Sequence, residues 1–316
     1  MKIKRLSILI VIMAISVFLI AGCDSFVDES SGQDIEMETV NIVHELGEVI
    51  VNKEPNRVIV FDYGILDALD TIGEEIIGLP KSSLPEYLGK YREDKYIDVG
   101  TLQEPNFETI YELSPDLIII SARQSSLYDE FMKIAPTVYL NVDGGDYINS
   151  FKNNMSILGT IFDRENELEK IVNDIEISIE ELKDAAGKKD IKSLFIMAND
   201  GNLSAFGKGS RFGVIHNEFG LAPIDEGIEV STHGQKITFE YILEKNPDYI
   251  FVMDRAVVVG GDISAKQVMD NELIHSTKAY KNDNIIYLDA YIWYVSSGGI
   301  TGTERMVEEI NSAIRK

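Results

Sequence analysis

Short apolar runs alternate with helical patterns along most of this chain. Residues 39–61, TVNIVHELGEVIVNKEPNRVIVF, read as a hairpin leading into a first buried strand at Val58–Phe61. Further strands are predicted at Ile76–Leu79, Leu117–Ile120, Thr137–Leu140, Ser193–Met197, Tyr249–Met253 and Asn284–Leu288. Such alternation predicts an α/β fold with central, mostly parallel sheets.

One longer pattern lies between the two groups of strands. Leu168, Ile171, Val172, Ile175, Ile179 and Leu182 recur at helical spacing. Asp163 is the predicted cap at its start and Gly187 its predicted end. About 23 residues at 1.5 Å each span roughly 35 Å, enough to cross from one lobe to another. A surface helix within one domain is the alternative, but its place near the middle of the chain favours a bridge. The predicted organisation is an N-terminal lobe over 39–162, a bridging helix over 163–187 and a C-terminal lobe over 188–316, with a ligand cleft between the lobes.

The chain carries one unit twice. NFETIYELSPDLIIISAR begins at Asn106 and TFEYILEKNPDYIFVMDR at Thr238, a constant offset of 132. Each copy reads as an N-cap, a short helix, a proline stop, a buried strand and an arginine. Arg123 and Arg255 fall just past the strands' carboxyl ends, the edge where open α/β sheets bind ligands. Arginine after a strand is often merely solvated, but the shared offset favours a paired role across the cleft. Arg211, in AFGKGSRFGVIHNEFG, is a third candidate. Gly207, Gly209 and Gly213 around it can expose N–H groups to an anion or simply form a turn. Glu108 and Glu240 are the repeat-matched acids in the first helical turns.

The chain's beginning changes the picture of where this body works. Lys2, Lys4 and Arg5 precede an apolar run from Leu6 to Ala21, which has signal-peptide flanks. The run ends in LIAGC, which resembles the lipobox of bacterial lipoproteins, with 1–22 as the signal peptide. Cys23 is the only cysteine, so neither an internal disulfide nor a CxxC site is open to it, and its predicted role is lipidation. Residues 23–38 continue as the lipidated cysteine and a disordered acidic tether, reaching roughly 20 Å. The predicted location is the outer face of a bacterial cytoplasmic membrane.

The formal charge is −24, and the leader holds three basic residues and no acid, so the remainder carries −27. That argues against nucleic acid as a partner, since no basic stripe exists. Only eight arginines remain in it, which sharpens interest in Arg123, Arg211 and Arg255.

The lipobox, the paired α/β pattern, the bridging helix and the twice-used E–x–I–x–x–x–x–PD resemble the siderophore-binding lipoproteins of bacterial ABC iron importers, the helical-backbone type. FDYGILDALDTIG, GLPKSSLPEYLGKY, VGTLQEPNFETI, GSRFGVIHNEFG and STHGQKITFEYI look like the subgroup that takes ferric catecholates, petrobactin included. The resemblance implies that Arg123, Arg211 and Arg255 hold catecholate oxygens. It implies that His233 in STHG and Tyr294 in WYVSSGG bind ligand too, reaching iron only where the siderophore leaves sites open. It also implies that Glu108 and Glu240 dock onto an ABC permease working with its ATPase. The expected protein is a monomeric binding protein without a cofactor, its ligand being the Fe(III)–siderophore.

Rival readings are fewer in their support. No HExxH, GxSxG or P-loop occurs, so a two-lobed chelatase or reductase lacks an evident acid, base or nucleophile. A surface adhesin would need an exposed patch that sequence cannot reveal. The same importer class with haem, cobalamin or a ferric hydroxamate as cargo stays open.

Overall fold

The computed structural model describes residues 38–231 and 233–315. The predicted signal peptide, Cys23 and the tether up to Met37 lie outside the described residues. Among those described, no helix is long and apolar enough to cross a membrane.

The predicted hairpin forms from β1 (Thr39–His44) and β2 (Gly47–Asn52), paired antiparallel. The N-terminal lobe is built on a parallel sheet in the order β5-β4-β3-β6-β7. Its strands are β3 (Val58–Val60), β4 (Gly78–Leu79), β5 (Ile97–Asp98), β6 (Leu117–Ile120) and β7 (Thr137–Tyr139). Helix α1 (Tyr63–Thr71) follows β3, α2 (Phe107–Glu112) precedes β6, and α3 (Tyr147–Phe162) closes the lobe.

Helix α4 (Glu165–Gly187) then leads to a second sheet, β11-β9-β8-β12-β13, with β10 beside β8. Its strands are β8 (Lys192–Asn199), β9 (Asn202–Phe206), β10 (Ala222–Pro223), β11 (Gln235–Ile237), β12 (Tyr249–Asp254) and β13 (Ile285–Leu288). The helices that matter for the site are α5 (Phe239–Lys245), α6 (Arg255–Val259), α7 (Ala290–Val295) and α8 (Ile300–Ile314). β9 alone runs against the others, antiparallel to both β8 and β11. β8 and β9 are joined by Asp200 (φ 48°) and Gly201 (φ 86°), a two-residue turn with both φ positive that favours a hairpin.

The buried stripe of α4 is Leu168, Val172, Ile175, Ile179 and Leu182, as its spacing predicts. These join one core that runs continuously from Phe151 and Leu158 of α3 to Phe195 and Phe251 of the second sheet. Asp163 does not cap α4. It takes φ 55° as the left-handed end of α3, and Arg164 precedes α4 without a side-chain cap. Aspartate tolerates that conformation, and it folds two long helices back on each other across a two-residue corner.

The repeat is physical as well as textual. Asn106 accepts from Thr109 N and Thr238 from Tyr241 N, capping α2 and α5. Ser114 (φ 46°) and Asn246 (φ 50°) leave the two helices left-handed just before each proline. The aspartate after each proline then holds the start of the neighbouring strand. Asp116 accepts from Asn56 N and Arg57 N at 2.9 and 2.8 Å, and Asp248 from Lys192 N at 3.1 Å. Each unit delivers its strand, β6 or β12, to the matching interior position of its sheet, one in from the edge strand β7 or β13.

Candidate ligand-binding site

Arg123 and Arg255 emerge where β6 and β12 end. Arg123 lies in a 3-10 helix, Ala122–Leu127, fixed by a reciprocal capping box between Ser121 and Gln124. Arg255 opens α6, whose cap Asp254 accepts from Ala256 N at 3.1 Å and from Ala265 N at 2.7 Å. Arg211 comes from the turn after β9. The glycines there have a steric purpose. A Cβ on Gly213 would lie 2.1 Å from Lys208 O, and one on Gly144 would lie 2.4 Å from Arg211 O. Small residues let the Arg211 turn close against the loop that begins α3, and the helix after Gly213 is a single turn, Val214–Asn217.

All three arginines converge on Tyr294. Arg123 Nη2 donates to the Tyr294 carbonyl at 2.9 Å, and Arg211 Nη2 donates to the same oxygen. Arg255 Nε donates to the Tyr294 hydroxyl at 2.8 Å, while its Nη1 donates to Asn199 Oδ1 at 2.9 Å. The guanidinium carbons of Arg211, Arg255 and Arg123 stand 4.4, 5.5 and 5.8 Å from the Tyr294 ring centroid. The carbonyl belongs to the last turn of α7, where carbonyls lack intrahelical partners and carry the negative end of the helix dipole. A short helix thus gathers cations that would otherwise repel one another.

The electrostatics record that crowding. Burial, and after it the charge of Arg123, lower the Arg211 guanidinium to about 10, with Tyr294 opposing. Burial pushes the Tyr294 phenol up, but the Arg255 hydrogen bond and the three guanidinium charges outweigh it, so the phenol ends below its ordinary value. Among the described residues none of the three arginines forms a salt bridge with an acid.

Two cavities meet at this cluster. The larger, about 830 Å³, is lined by Arg123, Arg211 and Tyr294 together with Asp62, Asn141 and Asn154. The smaller, about 330 Å³, is lined by Arg211, Arg255, His233 and Tyr294 with Asn199 and Ser204. Arg211 and Tyr294 form the wall shared by both. The five residues singled out in the sequence are therefore brought together, with His233 on an exposed loop at the smaller cavity. No group of three or more His, Cys, Asp or Glu able to hold a metal occurs among the described residues.

Glu108 and Glu240 stand elsewhere, exposed in the first turns of α2 and α5. Sequence reasoning missed Asn199, which orients Arg255; the Asn199-Asp200-Gly201 hairpin signal was its only local sign. It also missed Glu309, which accepts from Trp293 Nε1 at 2.8 Å, because that pairing joins two helices with no shared motif.

Residues 58–292 match the periplasmic binding protein family, and the chain belongs to it. It is 45% identical over 317 residues to the petrobactin-binding protein YclQ of Bacillus subtilis, covering 99% of this chain and 100% of that protein. The crystal structure of YclQ superposes with a TM-score of 0.87 at 47% identity, covering 88% of this chain and 99% of that one. The periplasmic catecholate-siderophore binding protein VctP of Vibrio cholerae superposes with a TM-score of 0.83 at 37% identity, covering 87% of this chain and 100% of that one. These relatives are binding proteins by name.

Proposed function

We propose that this chain is the extracytoplasmic substrate-binding component of an ABC importer, and that its cargo is a ferric catecholate siderophore of the petrobactin kind. The observation that carries the reading is the convergence of Arg123, Arg211 and Arg255, none in a salt bridge among the described residues, on one wall between two cavities. A ferric tris-catecholate presents about three negative charges on a ring of oxygens, and guanidinium both donates to such oxygens and stacks on aromatic rings. One opposite charge at 4 Å contributes about 4 kcal/mol gross at an effective dielectric near 20. Those charges of the −27 remainder that lie farther than roughly 8 Å from the cluster are screened. Similarity to petrobactin- and catecholate-binding proteins supports the same cargo.

Iron is the cargo and arrives chelated. His233 and the low-titrating Tyr294 phenol reach it where the siderophore leaves positions open. Cys23 carries lipid, holding a monomeric body at the outer face of the membrane, and Glu108 and Glu240 dock onto the permease that works with its ATPase. Calorimetric titration with a ferric catecholate, a ferric hydroxamate and haem tests the cargo. Saturable binding of the catecholate alone is expected. Preference for a hydroxamate or haem would overturn the assignment of cargo while leaving the importer class, and turnover of the complex on mixing would favour an enzyme.

A further inference from the structure

The three arginines depend on where α7 lies, and α7 has only six residues, Ala290–Val295. A helix that short does not hold its own orientation in water. Its N-cap is Asp289, which accepts from Tyr291 N at 2.9 Å and Ile292 N at 3.3 Å. Buried Ala290, Ile292, Trp293 and Val295 pack this capped turn against the core, and one carboxylate on α8 ties it by hydrogen bonds. Glu309 Oε1 accepts from Asp289 N at 2.9 Å, and Glu309 Oε2 accepts from Trp293 Nε1 at 2.8 Å. Both oxygens of one side chain are therefore spent on the two ends of α7, and the second bond falls on the residue adjoining Tyr294.

We infer that Glu309 is a positioning residue for the arginine site: from α8 it sets the lie of α7, and thereby the Tyr294 carbonyl and ring on which Arg123, Arg211 and Arg255 meet. The surroundings fit this role. Trp293 is 0% exposed and packs between Phe195 and Phe219, with ring centroids 5.5 and 6.3 Å away, so its N–H has no access to water. Burial raises the Glu309 carboxyl's titration, while the bonds from Trp293 and Asp289 oppose that rise. The frame behind Glu309 is firm, because α8 packs on both α1 and α4 and its Gly302 N donates to buried Asp67 at 2.8 Å. Through α8, the N-terminal lobe and the bridging helix share in placing Tyr294.

The test has a ligand-free arm and a binding arm, and only the binding arm rests on the catecholate reading. Trp293 is the only tryptophan, so its indole N–H gives one identifiable cross-peak in the 15N-labelled protein. The Arg255 Nε–H donated to Tyr294 gives a second, assigned by its loss in Arg255→Lys. Glu309→Ala is expected to shift both peaks and to weaken binding of a synthetic ferric tris-catecholate about tenfold. Glu309→Gln, which retains one acceptor oxygen, should restore part of both effects. Trp293→Phe, which keeps an aromatic ring but no donor, should move the Arg255 peak in the same direction as Glu309→Ala, and it serves if the alanine variant fails to fold. An indole peak that moves while the Arg255 peak and the affinity stay put would make Glu309 merely structural and overturn the inference. If the unaltered protein binds no catecholate, the cargo assignment fails by itself, and the Arg255 peak still decides the role of Glu309.

Discussion

Arg123 and Arg211 donate to one and the same acceptor, the carbonyl oxygen of Tyr294, although the first follows a strand of the N-terminal sheet and the second a strand of the C-terminal sheet. The contact of Arg123 with Tyr294 crosses between the lobes. A helix-end carbonyl thus takes one guanidinium donor from each lobe.

Removing any of the three arginines should weaken an anionic cargo selectively. Arg123→Ala, Arg211→Ala and Arg255→Ala are each expected to cost about 1.5–3 kcal/mol in affinity for a ferric catecholate, roughly tenfold or more. A neutral ferric hydroxamate should be nearly indifferent to all three. Calorimetry on the six pairs checks this, and equal losses for both ligands would count against charge as the basis of selection.

Asp67 makes a pH prediction. It is 1% exposed, and burial raises its carboxyl to about 6 from 3.8, with the bond from Gly302 N opposing. The folded state therefore holds this proton more tightly than the unfolded chain does. The resulting stability is fully present below about pH 4 and is lost as pH rises through about 6, a loss on the order of 3 kcal/mol. Asp67→Asn keeps an acceptor oxygen for Gly302 N without the charge. Its melting temperature relative to the unaltered protein should climb between pH 4 and pH 7, and a difference independent of pH would refute the assignment.

Exposure separates docking from binding at the repeat-matched acids. Glu108→Lys with Glu240→Lys should abolish iron uptake in cells while leaving the affinity for a ferric catecholate unchanged in solution. Both side chains lie on exposed helix starts and line neither cavity. A loss of affinity in the isolated double variant would contradict the docking role.

The aspartates after the repeated prolines should matter to stability alone. Asp116→Ala removes two hydrogen bonds to backbone N–H groups and Asp248→Ala one. Denaturant unfolding should show a loss of about 2–3 kcal/mol for the first and about 1–2 kcal/mol for the second. The reverse order would mean that these carboxylates do not hold the strand starts as described.

Much of this protein was legible along the chain because its informative features are local or periodic. The stripe from Leu168 to Leu182 predicted α4, Asn106 and Thr238 marked their helices, and the offset of 132 placed Arg123 and Arg255 after equivalent strands. Helical spacing, capping and proline stops act over a few residues, so a few residues disclose them. Asp163 misled for the same reason: cap chemistry before a helical run is equally a left-handed end of the run before it, and only the fold chooses.

What tertiary structure decided is how groups far apart in sequence satisfy one another. Nothing local says that the Tyr294 carbonyl is where Arg123 and Arg211 meet, that Asn199 orients Arg255, or that Glu309 holds Trp293. The chain by itself determined the class of fold and the identity of the cations, because periodicity and repetition are properties of order along the backbone. The geometry of the site came only with packing, because hydrogen bonds and charges act through space, and the orphan carbonyl at the end of α7 becomes an anchor only once both lobes have brought their arginines to it.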